Sequence, residues 1–66
     1  MRVKLTVELE SENAAFQDGM HSLEVARIMR DFTTWLLDGA EGRFTLHDVN
    51  GNPVGRADFE AWEEED

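Results

Sequence analysis

The chain has 66 residues, 41% of them apolar, with 6 basic against 15 acidic side chains and a formal charge of -9. This length holds one small domain that buries roughly 60% of its unfolded surface, for an expected net stability of about 3 to 5 kcal/mol. The lack of cysteine excludes disulfides, thiolate metal sites and cysteine nucleophiles, and so negative a field disfavours direct contact with nucleic acid.

Residues Arg2 to Glu10 alternate strictly. Val3, Leu5, Val7 and Leu9 fall on one side and Arg2, Lys4, Thr6, Glu8 and Glu10 on the other, the period of a half-buried strand. Ser11 to His21 has no period and includes Asn13, Asp18 and Gly19, so it reads as an ordered connection that Phe16 pins to the core. Ser22 is placed to cap the N-terminus of a helix, with Glu24 in a first turn where negative charge suits the dipole. Along that helix Val25, Ile28, Met29, Phe32 and Leu36 form one apolar stripe with Trp35 on its border. Glu24, Arg27, Arg30, Asp31, Thr34 and Asp38 lie opposite, and Arg27 is spaced to make weak ion pairs with Glu24 and Asp31. Gly39 can adopt the left-handed conformation that ends the helix near Asp38. Met20, Leu23 and Leu37 lie off the stripe, and the pattern leaves their exposure open.

Arg43 to Val49 alternates again, with Phe44 and Leu46 on one side, and Val54 to Glu60 offers Gly55, Ala57 and Phe59. Asn50-Gly51-Asn52-Pro53 between them is a strong hairpin signal, because Asn-Gly accepts the positive φ values that match strand twist. A loop of either two or four residues puts Phe44, Leu46, Ala57 and Phe59 on one side of that hairpin, with Pro53 tolerable as a first strand residue. The order strand, helix, strand, strand predicts an α+β fold: a single helix packed on a three-stranded antiparallel sheet. Pairing of strand one with strand three is favoured by charge, since Arg2 and Lys4 then come opposite Asp58 and Glu60, and Glu8 comes toward Arg56. The expected strand order is 2-3-1, in one domain over residues 1–66 with residues 61–66 an acidic tail.

Catalytic chemistry finds little support. The only histidines are His21, before the helix, and His47, on the outer side of strand two, and no activated nucleophile is foreseen beside either. Asp48-Val49-Asn50-Gly51-Asn52 has a calcium-loop flavour, but its glycine comes two positions early and no twelfth-position Glu follows, so it is read as a turn. Gly39-Ala40-Glu41-Gly42 is too short and too acidic to cradle phosphate. The expectation is no enzyme, no cofactor and no metal.

The charge excess instead gathers in two segments without a base, residues 8–24 and 58–66. Carboxylates at alternate positions of an extended chain stand ~6.6 Å apart and duplex phosphates ~3.4 Å apart along each strand, so Glu8, Glu10 and Glu12 can occupy part of a row of phosphate-binding cations. The candidate partner-binding residues are Glu8, Glu10, Glu12, Asp18, Asp58, Glu60, Trp62, Glu63, Glu64, Glu65 and Asp66. Trp62 is open to two readings, a side chain folded onto the core or an aromatic anchor for a partner. Trp35 is read as part of the core. No apolar run approaches the roughly 18 residues of a membrane span and no signal-peptide segment opens the chain, so the expectation is a cytoplasmic monomer with no membrane partner.

Asn13-Ala14-Ala15-Phe16, Glu24-Val25-Ala26-Arg27-Ile28-Met29-Arg30 and Asp48-Val49-Asn50-Gly51-Asn52-Pro53-Val54-Gly55 resemble a family of small proteins encoded by phages and prophages. In size and acidity the chain is also similar to anti-CRISPR proteins. That resemblance implies an inhibitor that binds a basic, nucleic-acid-handling surface of a host type I (Cascade) complex, of the I-C class, in the bacterial cytoplasm, and blocks target DNA binding. The alternative is an accessory protein of phage replication or recombination that contacts its partner through Arg27, Arg30, Asp31 and Thr34.

Overall fold

The structure, a computed structural model, describes residues 1–64. β1 spans Arg2–Leu9, a 3-10 turn covers Ala14–Phe16, α1 runs His21–Leu37, β2 Gly42–His47 and β3 Pro53–Trp62. The strands form one antiparallel sheet in the order β1-β3-β2, with α1 on one face. This is the expected α+β architecture and strand order.

Register follows charge and pattern closely. Lys4 faces Glu60 and Glu8 faces Arg56 across β1 and β3, while Thr6 faces Asp58 and Arg2 faces Trp62, two shifts from the expected pairs. Phe44 faces Ala57 and Leu46 faces Gly55 across β2 and β3, so the inner sides coincide as the alternation requires. The register slips between Leu46 and His47, leaving Val54 as an extra residue. That bulge turns Val54 into the core although its parity is wrong for a regular strand. At the neighbouring position Gly55, any Cβ would strike the Glu8 carbonyl oxygen of β1.

The core is small: Ile28, Phe32, Leu46, Val54 and Ala57 are buried, with Leu9, Phe16, Met29, Trp35, Leu36 and Phe44 packed around them. Trp35 stacks on Phe32 at 5.6 Å between ring centroids and tilts against Phe44 at 5.4 Å, the structural role expected of it. Phe16 anchors the 3-10 turn to this cluster.

Five sequence expectations need correction. The helix begins at His21 with Met20 in the capping position, so Ser22 is its second residue and caps nothing. Asp18 and Gly19 are both left-handed, at φ 58° and 77°, and they turn the chain into the helix one residue early. The stripe is rotated at its N-terminal end: Glu24, Ile28 and Phe32 face inward at i, i+4 and i+8, and Val25 is exposed. The hairpin loop comprises the five residues between His47 and Pro53, longer than either length foreseen, because Asp48 organises it. Finally, β1 is not half-buried. Val3, Leu5 and Val7 are exposed on the helix side of the sheet, since α1 packs along β2 and the 3-10 turn and does not reach them. β3 also continues through Trp62, which makes Ala61 and Trp62 paired strand residues.

Ile28→Ala should cost about 2 to 5 kcal/mol in chemical denaturation, whereas Val25→Ala should cost under about 1 kcal/mol, a direct check on the rotated stripe. Gly55→Ala should destabilise by about 1 to 3 kcal/mol through its collision with β1, with β1 amide signals shifting more than those of β2 in heteronuclear NMR spectra.

Candidate functional site

The outward side of the sheet carries the alternate, polar residues of all three strands. Asp58, at the centre of β3, accepts from Arg43 Nε at 3.0 Å and lies 3.5 Å from Arg56 Nε, and Arg56 Nη2 is 3.7 Å from Glu8. With Lys4 opposite Glu60, this surface is a mixed network of compensated charge. Glu8, Asp58 and Glu60, all expected in the partner surface, therefore sit among bases.

At the far end of β1 and β3, Arg2 lies over the Trp62 ring at 5.6 Å and donates from Nη1 to Glu64 at 2.9 Å. Trp62 thus stands on the outer side, stacked with a cation, and does not fold onto the core. Glu63 is 4.0 Å from the N-terminal ammonium. Glu65 and Asp66 lie outside the described residues. At the opposite end Glu10, Glu12 and Asp18 are exposed and make no ion pair among the described residues. The structure brings Glu10 and Glu12 to the end of the sheet that joins the 3-10 turn. Asp18 stands apart in the left-handed turn before α1, where a short polar side chain tolerates the positive φ.

Two acids hidden from sequence reasoning matter more to the architecture. Glu24 is buried: it accepts from Arg27 Nε at 2.5 Å and from the Val49 amide at 3.1 Å, while Arg27 Nη2 donates to the His47 carbonyl at 3.0 Å. The pair expected to be a weak surface contact is a bridge between helix and hairpin, and it raises the Arg27 guanidinium pKa chiefly through the Glu24 hydrogen bond. Asp48 is also buried. Its Oδ1 accepts from the Asn50 and Asn52 amides and its Oδ2 from the Asn13 and Asn52 side chains, all within 3.2 Å. Burial alone would push the Asp48 carboxyl up, but these four donors outweigh it and hold the group below its ordinary value. An Asp two residues ahead of Asn-Gly, as Asp48 is of Asn50-Gly51, is a recognisable turn signature; nothing local marks Glu24 as inward.

The histidines are both exposed, His21 at the start of α1 and His47 at the end of β2. Beside Glu24, an open apolar hollow is lined by Ala14, Ala15, Met20, Leu23 and Val49. Met20, Leu23 and Leu37, left open by the pattern, are exposed. No described helix is long and apolar enough to cross a membrane. Compared with known proteins, the chain matches no family model, no curated protein and no solved structure. The functional reading rests on its own surface.

Asp48 contributes stability at pH values above the ordinary aspartate value of 3.8, and that contribution is lost as pH falls through the lower folded-state value. Asp48→Asn should therefore lower the melting temperature at neutral pH and flatten the acid limb below about pH 4 in a thermal scan series.

Proposed function

We propose that this chain is a phage-encoded, non-enzymatic inhibitor that presents acids to a basic, nucleic-acid-handling surface of a host type I CRISPR-Cas complex and so competes with target DNA. One observation supports it above the rest: the bases are largely consumed internally. Arg2, Arg27, Arg43 and Arg56 each pair with an acid of the same chain, leaving Glu10, Glu12 and Asp18 exposed and without an ion pair among the described residues. A body charged in this way approaches a cationic groove quickly and binds it in a salt-dependent manner. The helix surface offered by the alternative, an accessory protein of replication or recombination, keeps Arg30, Asp31 and Thr34 exposed but loses part of Arg27. Arg27 is turned inward to Glu24, and Thr34 Oγ1 donates to the Arg30 carbonyl.

The test is competition. Purified protein is mixed with a type I complex, I-C first, and a labelled DNA target at about 50 to 200 mM salt. Binding should weaken as salt rises, and changing Glu10, Glu12, Glu63, Glu64, Glu65 and Asp66 to their amides should reduce inhibition by roughly tenfold or more. Inhibition that survives those changes, or no complex at low salt, removes the proposal.

A further inference from the structure

We infer that β1 is a self-complementary edge through which two copies of this chain pair antiparallel about Thr6, joining their sheets into one of six strands. This goes beyond the inhibitor reading and replaces the monomer expected from the sequence.

β1 lies at the edge of the sheet, is eight residues long and contains no Pro, no Gly and no register shift. Edges left open to solvent are usually shortened, bulged or blocked by proline. β2, the other edge, is shorter, meets β3 through a register shift and is flanked by the helix. The Glu10 amide donates to the Val54 carbonyl, and the residue pairs of β1 and β3 run in constant register, so even-numbered β1 residues direct their peptide groups to β3. Val3, Leu5, Val7 and Leu9 therefore direct theirs to the open edge.

Side chains complete the match. A two-fold axis at Thr6 sets Arg2 opposite Glu10 of the second copy and Lys4 opposite its Glu8, so every charged residue of the stretch Arg2 to Glu10 meets its opposite sign. The same operation sets Leu5 beside Val7 and Val3 beside Leu9 on the apolar side. Exposure on that side climbs away from the helix, from 40% at Val7 to 52% at Leu5, 61% at Val3 and 75% at Met1. A second β1 would shield these side chains laterally. A two-fold axis at Lys4 would instead place Lys4 against Lys4, and axes at Leu5 or Val7 would leave Lys4 or Glu8 opposite Thr6, so the Thr6 axis alone pairs all four charges.

Glu8 and Glu10 would then be engaged by the second copy, leaving Glu12, Asp18 and the C-terminal acids for any basic partner. Failure of pairing is thus distinguishable from failure of the inhibitor reading, because the first is measured on the pure protein alone.

The experiment uses the full chain in low-salt buffer. Sedimentation equilibrium should give twice the 7.6 kDa chain mass. Arg2→Glu with Lys4→Glu should weaken association by roughly tenfold or more, and adding Glu8→Lys and Glu10→Lys should restore it. In this cysteine-free chain Thr6→Cys places two thiols at a pair whose Cα atoms stand about 4.5 Å apart, within disulfide reach, so mild oxidation should yield covalent dimer. Thr45→Cys, on the β2 edge, should not cross-link comparably. A single-chain mass overturns the inference, as does a dimer that the fourfold charge exchange fails to restore or that Thr6→Cys fails to trap.

Discussion

Two buried carboxylates hold this molecule together where apolar packing is too sparse to do so. Glu24 ties the first turn of α1 to the hairpin loop through the Val49 amide, and Asp48 ties that loop to the connection after β1 through Asn13. Burying an anion is costly unless its lone pairs are occupied. Here they are, and no buried side-chain polar atom among the described residues lacks a partner. Five buried apolar side chains would leave the loop and the connection free to shift. The clamp sets where the hairpin starts, which sets the bulge at Val54, which in turn brings Gly55 against β1.

Alternation and turn chemistry made the strands, their order and the inner side of the hairpin readable in advance. Charge made the β1–β3 pairing readable, since Lys4 opposite Glu60 and Glu8 opposite Arg56 are what opposite signs favour. What stayed hidden depended on contacts distant in sequence. Glu24 faces inward only because Val49, 25 residues on, offers it an amide. β1 is bare because α1 follows β2, and periodicity specifies a side of a strand without saying whether anything covers it. At the candidate site, the list of acids was legible and so was the compensation of Glu8 by Arg56, whereas the contact of Asp58 with Arg43 was not. Asp58 and Glu8 proved to be held by Arg43 and Arg56, leaving Glu10, Glu12, Asp18 and Glu60 as the members without an ion pair among the described residues.

The acidic excess and the bare strand make different demands on the same residues. Glu8 and Glu10 belong both to the candidate acidic surface and to the open β1 edge. Association would draw the two acids nearest the sheet into fixed pairs and push the displayed charge outward, toward the 3-10 turn and the C-terminal residues.

Beyond the Gly42–Phe59 pair, where β2 gives out, the last residues of β3 and the first of β1 continue as a two-stranded ribbon with neither helix nor third strand beside them. Isolated two-stranded ribbons are marginal in water. Such a segment opens at a fraction of the free energy needed to unfold the clamped end, so its amides exchange with solvent long before those around Leu46 and Ala57. The chain is consequently firm at one extremity and compliant at the other, and Arg2, Trp62 and Glu64 travel with the compliant one.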